Sequence, residues 1–360
     1  MILLLCMVYS LIHARFFDFL CLSVNMKIPV LLQISSSAFG HQVLDYEQVL
    51  FNISRLRQIC FPVMYQSRYS ANKYLLEKIK AEHLVLPHFP SWLVHRALLR
   101  LSKRYRSLSK ELSQSDCTYL KEIHRLPACR IAEQMKLQFS QNNIVSPIAS
   151  NKQKIIGVVL RDHGYESIRG VNHKKHASRH RNAQIINFVP TLKILKSNNF
   201  EIIRFGRHNL ESVELNKIVY NLSHFSSTIS EDSLDFQLAE MCDFFISTAS
   251  GPDVLSLFFR KPLYLVDTTF PVMPRTELVR SFLVKDYYLS KGETSVRLKY
   301  QEISELHQNH MNFYSLLTSG QVFTESKSEL CIRNFVKSQI LNEEVLEPVE
   351  YEEVEPGIFY

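Results

Sequence analysis

The stretch Asp243-Phe-Phe-Ile-Ser-Thr-Ala-Ser-Gly-Pro-Asp253 turns from strand to helix in a few residues. Its first half is an apolar, aromatic run of strand type. The run stops at Ser247 and Thr248, Gly251 marks a tight turn, and Pro252 suits the first turn of a helix. Strand, short turn and helix in this order form half of a βα unit, the building block of parallel sheets.

The same alternation extends on both sides. Upstream, Ile155-Ile-Gly-Val-Val-Leu160 reads as a buried strand. Helical spacing follows from Ile185 to Ser197, then a strand at Phe200–Phe205 and a short helix at Leu234–Met241. Downstream, a helix at Asp253–Phe259 leads into a strand at Pro262–Asp267, with further helices expected at 274–284 and 300–316. The first half repeats the theme less cleanly. A strand at 28–34 precedes helical spacing over Val43–Arg57, an apolar run over Ile59–Tyr65, a helix at Ala71–Lys80 and a short strand at His83–Leu86. Residues 91–140 are mostly helical, with basic faces at Arg96, Arg100, Lys103, Arg104 and Arg106. A polar stretch at 141–153 separates the two series. The expected organisation is α/β, with a leading segment at 1–25, an N-terminal domain at 26–150, a second domain at 151–330, and a C-terminal helix and acidic tail at 331–360. Residues 1–25 are mostly apolar at first, but charge interrupts them before a membrane-spanning length is reached. They read as a mis-called start or a membrane-surface segment.

Composition narrows the function classes. The 360 residues include only nine glycines, where about 25 would be usual. That excludes a collagen-like chain, a glycine-rich linker and a low-complexity fibre. The net charge of +7 hides an asymmetry, because residues 343–360 hold seven Glu and no Lys or Arg. Subtracting those seven from the 35 acids leaves 28 against 42 Lys and Arg, so the rest of the chain carries +14. Such a body favours anionic partners. The seven cysteines show no CxxC spacing and sit in apolar surroundings, as buried thiols of a reducing compartment do.

Candidate site residues cluster at predicted strand ends. Gly40, Gly164, Gly206 and Gly251 follow strands closely, where backbone turns or approaches a ligand. Ser247, Thr248, Ser250 and Gly251 lead into a helix start, whose amides and dipole suit an anion. Ser250 or Asp253 is equally a helix cap. Arg161 and Arg204 end two strands, and a guanidinium there matches phosphate oxygens two at a time. Either arginine could instead pair with a core carboxylate such as Asp235. Residues 169–181, RGVNHKKHASRHR, hold five cations and three histidines without an acid. They read either as a basic loop that can bind phosphate or nucleic acid, with no interleaved aromatics to suit a single strand, or as a solvated loop. His41 and Asp45, just after the first strand, are candidates for a general base. No Asp-x-Asp, HExxH, GxSxG, GxGxxG or P-loop pattern occurs, so no metal site is expected.

In order, Gly40-His41, Arg161-Asp162-His-Gly-Tyr165, Arg181-Asn182 with Pro190, Ile203-Arg204-Phe-Gly206, Thr248-Ala-Ser-Gly-Pro252 and Lys261-Pro262 resemble a family of bacterial glycosyltransferases. That family belongs to surface-polysaccharide (O-antigen-type) gene clusters. The match runs from about residue 28 to 300 and is dense from 155 to 270. The resemblance implies a GT-B-like fold, two Rossmann-like domains facing a cleft. It implies transfer from a nucleotide-sugar donor to a glycan or lipid-linked acceptor without a metal or other cofactor. Gly40, Arg161, Arg181, Arg204, Gly206, Ser247, Thr248, Ser250 and Gly251 would line the donor site, with His41 or Asp45 as base. A cytoplasmic protein at the inner face of the membrane would follow. Two rival readings share the pattern: a nucleotide-sugar epimerase of similar fold, and a non-catalytic protein that binds anions or nucleic acid.

Overall fold

The structure, a computed structural model, describes residues 28–34, 42–43, 46–51, 60–66, 71–101, 106–107, 128–141, 153–162, 180–206, 212–222, 225, 231–269, 278–308, 310–343, 353–355 and 358–359. The chain divides into two compact units, Met1–Gln134 and Met135–Tyr360.

The first unit is built on three parallel strands, β1 (Ile28–Ile34), β2 (Cys60–Gln66) and β3 (Val85–Leu86), in that spatial order. Val30 and Leu31 pair with Pro62 and Val63, and Val30, Leu31 and Val63 are all buried. Helix α1 (Lys73–Glu82) is capped by Asn72, whose Oδ1 accepts the Leu75 amide at 2.7 Å. Gln42 locks that cap. Its Nε2 donates to the Asn72 carbonyl at 3.1 Å and its Oε1 accepts the Asn72 amide at 2.9 Å. Helix α2 spans His88–Leu101 and α3 spans Arg130–Gln141. The division between the units falls inside α3, upstream of the polar stretch.

The second unit carries β4 (Lys154–Val159), β5 (Phe200–Arg204), β6 (Tyr220–Asn221), β7 (Phe244–Ser247), β8 (Leu263–Thr268) and β9 (Val279–Val284), all parallel to their neighbours. Their spatial order is β6-β5-β4-β7-β8-β9. Counted from β4 this is 3-2-1-4-5-6, the doubly wound order of nucleotide-binding sheets. Its longer helices and the one after β7 are α4 (Val189–Ser197), α5 (Glu231–Met241), α6 (Val254–Phe258), α7 (Tyr300–Gln308), α8 (His310–Ser319) and α9 (Glu329–Val336). Leu192 and Leu195 of α4 share one core with Ile332 and Phe335 of α9 and with Ile156, Val158 and Ile246 of the sheet. Gly157 has a packing reason: a Cβ there would lie 2.4 Å from the Phe245 ring.

One expectation is corrected. Residues 279–284, expected as part of a helix, form strand β9, buried at every position but one. An apolar run covered on both faces has no period that separates strand from helix. The acidic tail contributes strands to the same sheet. There β13 (Glu353–Glu355) pairs with β14 (Ile358–Phe359), and β14 runs parallel to β9. A small antiparallel sheet of β10 (Asp286–Lys291), β11 (Thr294–Arg297) and β12 (Val322–Glu325) follows β9.

Candidate functional site

The strand order reverses at β4, so the crevice beyond the carboxyl ends of β4 and β7 is where a sheet of this kind receives a ligand. The two strand ends are stitched together. The Thr248 amide donates to the Val159 carbonyl at 3.0 Å, and the Arg161 amide donates to Thr248 Oγ1 at 2.8 Å. The Ala183 amide closes on the Arg161 carbonyl at 2.9 Å, which brings residues 180–184 to the same edge.

After β7 the chain makes a strained turn, with Ala249 at φ 60°. Asp253, 1% exposed, organises it. Its Oδ2 accepts the Ser247 hydroxyl at 2.8 Å and the Ser250 amide at 3.0 Å, while Ser247 Oγ accepts the Ala249 amide at 3.0 Å. Burial pushes the Asp253 carboxyl up to about 6, and the two hydrogen bonds and the nearby Arg181 charge pull the other way. Arg181 itself donates to the Ala249 carbonyl at 3.0 Å.

This geometry corrects the expected anion cradle. The amides of Ala249 and Ser250 are taken by Ser247 and Asp253, and Ser247 and Thr248 are buried parts of the turn rather than open donors. The helix that begins there is short, a 3-10 turn at Gly251–Asp253 followed by Val254–Phe258. What reaches the surface is Gly251, with Ser250, Arg161, Arg181 and Asn182 partly exposed.

Arg204 is corrected as well. Its side chain, 1% exposed, is ion-paired with Asp162 at 3.0 Å; the carboxylate partner is not Asp235. Burial lowers the Arg204 pKa and Asp162 raises it again. The pair joins the ends of β4 and β5, so Arg204 holds the floor of the edge. Gly206 follows at φ 117°, a conformation that favours glycine. Arg161, at the rim, donates through Nε to Asn182 Oδ1 at 3.2 Å.

Gly40, His41, Asp45, Gly164 and most of the basic loop 169–181 lie outside the described residues. Beside His41 and Asp45, Gln42, Tyr46 and Glu47 are buried, and Tyr46 Oη shares a hydrogen bond with His83 Nε2 at 3.0 Å.

The sequence reading missed a buried charge cluster at the ends of β8 and β9. Lys285 Nζ sits 2.6 Å from Asp267 Oδ2, and the two side chains are 1% and 0% exposed. Lys285 also donates to Ser326 Oγ at 2.8 Å and to the Asn182 carbonyl at 3.1 Å. Asp267 accepts the Lys327 amide at 2.8 Å and has φ 56°. Burial raises its pKa, and Lys285 opposes that. A cavity of about 550 Å³ opens against this cluster, lined by Asn182, Ala183, Gln184, Lys285, Thr324, Glu325 and Ser326. The available signal was a charged residue directly after an apolar strand, in Leu-Val-Asp267 and Leu-Val-Lys285, the same signal that marked Arg161. Among the described residues no group of three His, Cys, Asp or Glu side chains is placed to hold a metal. No described helix is long and apolar enough to cross a membrane.

No protein-family model and no curated protein matches the chain. Among solved structures it is similar to the E. coli ADP-heptose LPS heptosyltransferase II, at 13% identity over 82% of this chain and 99% of that one, with a TM-score of 0.41. It is similar to the glycosyl transferase family 9 protein from Veillonella parvula DSM 2008, at 7% identity over 89% and 99%, with a TM-score of 0.40. A UDP-GlcNAc 2-epimerase from Neisseria meningitidis, bound to UDP-GlcNAc, aligns at 11% identity over 88% and 100%, with a TM-score of 0.32. The α/β assignment rests on the strand order itself.

Proposed function

We propose that this chain is a glycosyltransferase that binds a nucleotide-sugar donor at the carboxyl edge of the second unit's sheet. The observation that carries the reading is the reversal of strand order at β4, with Arg161, Arg181, Ser250 and Gly251 gathered at that edge. Cleavage of the donor leaves a nucleoside diphosphate, and the charge that develops on it needs fixed positive partners. Arg161 and Arg181 supply them without a metal. The Asp253 turn and the Arg204–Asp162 pair are positioning groups that hold these arginines' backbone in place. Beyond this, the resemblance of the ordered motifs supports a glycan or lipid-linked acceptor of surface polysaccharide, with His41 or Asp45 taking the acceptor proton. It also supports a cytoplasmic protein lying against the inner face of the membrane.

The test is a melting-temperature screen of UDP, GDP, ADP, CDP and TDP and their sugars in the presence of EDTA. At a hundredfold excess over Kd, one of them should raise the transition of the second unit by about 5–10 °C. The stabilising donor should then release its diphosphate when acceptor is added. No shift with any base counts against the reading.

A further inference from the structure

Helix α2 leaves an unusual face to solvent. Seven large apolar side chains stand out as exposed among the described residues, and three of them fall within residues 84–93: Leu84 at 65%, Phe89 at 69% and Leu93 at 47%. Phe89 and Leu93 sit four residues apart on α2, so they share a face. That face continues through Arg96 and Arg100, both exposed. Trp92 flanks it, with the Arg96 guanidinium 5.5 Å from its ring centre. At the helix end, Arg106 donates to the carbonyls of Leu99 and Arg100 at 2.7 and 3.1 Å, adding another cation. From His83 to Lys110 the sequence has six Lys or Arg and no Asp or Glu.

We infer that this face of α2 docks on an anionic phospholipid surface. One face with an apolar end, a basic end and a Trp at the junction offers the two contacts that an anionic bilayer surface takes, apolar insertion and phosphate pairing. Exposed leucines gain nothing from nucleic acid, which offers phosphates and base faces. A second copy meeting this face about a two-fold axis would bring like charges together. A bilayer with anionic headgroups satisfies both ends: acyl chains for Phe89 and Leu93, phosphates for Arg96 and Arg100. The inference rests on the peripheral placement proposed above, not on the donor chemistry.

Trp92 is the only tryptophan, so its emission reports this face alone. The full chain is mixed with vesicles of phosphatidylcholine, with or without about one-third phosphatidylglycerol. The expected result is a blue shift and co-sedimentation with the anionic vesicles only. Arg96→Gln/Arg100→Gln should weaken partitioning about 30-fold, and Phe89→Ser/Leu93→Ser should remove the blue shift. Should the double serine variant lose its circular dichroism, Phe89→Ser alone serves. Absence of binding to anionic vesicles, equal binding to neutral ones, or binding unchanged in both variants overturns the inference. Stabilisation by nucleotides would be untouched by any of these.

Discussion

The stability effect of Asp253→Asn changes with pH, and the structure says over which range. Both hydrogen bonds to the buried carboxyl converge on one oxygen, so an asparagine with its oxygen in that position keeps the Ser247 and Ser250 contacts. What it removes is the charge. A carboxyl raised from 3.8 to about 6 by burial makes its ionised form cost the folded state roughly 3 kcal/mol. The folded pKa lies above the unfolded one. Asp253 therefore contributes fully below pH 4, and its contribution falls by about 1.4 kcal/mol per pH unit until it levels off above pH 6. Asparagine does not titrate. The stability of the natural protein minus that of Asp253→Asn should thus fall by about 3 kcal/mol between pH 4 and pH 7. Urea unfolding of the second unit, followed by far-ultraviolet circular dichroism, measures it, since Trp92 lies in the first unit. Other titrating groups cancel in the difference. A difference that stays flat from pH 4 to pH 7, or rises, refutes this account of the turn.

Three further outcomes follow from the packing. Lys285→Met strands Asp267 without its ammonium and should cost about 3–5 kcal/mol by hydrogen exchange of β8 and β9, while Lys285→Met/Asp267→Asn, which removes the charge but keeps an acceptor for the Lys327 amide and tolerates φ 56°, recovers most of that. Gly157→Ala forces a methyl against the Phe245 ring, so about 1–3 kcal/mol of stability should be lost to urea and partly regained with Phe245→Leu. Arg204→Met leaves Asp162 buried and unpaired and should lower the melting temperature even without nucleotide, because its first role is in the fold.

The sheet of the second unit was legible because its strands are apolar runs bounded by turn residues, as at Ile155–Leu160 and Phe244–Ser247. Strand β9 was not, because burial on both faces erases periodicity. The tail strand β14 was hidden by its acidic surroundings; among the described residues Ile358 and Phe359 pair with β9. At the carboxyl edge of β4 and β7, the sequence showed which groups stand at the strand ends and not how they are paired. Nothing local tells whether a strand-end arginine faces solvent or a carboxylate: Arg161 stays at the rim while Arg204 turns inward to Asp162. In the same way, the Ser-Thr-Ala-Ser-Gly turn carries the donors an anion would want, and Asp253, three residues after Ser250, claims two of them.

The central claim is donor binding at the carboxyl edge of β4 and β7, and isothermal titration in EDTA tests it most directly. The account predicts that the nucleoside diphosphate selected by the melting screen binds the natural protein. It also predicts that Arg161→Ala binds about 10- to 100-fold more weakly with its melting temperature unchanged, the loss expected for one charged hydrogen-bond partner. Equal affinity in both proteins, or no heat with any nucleotide, would contradict it.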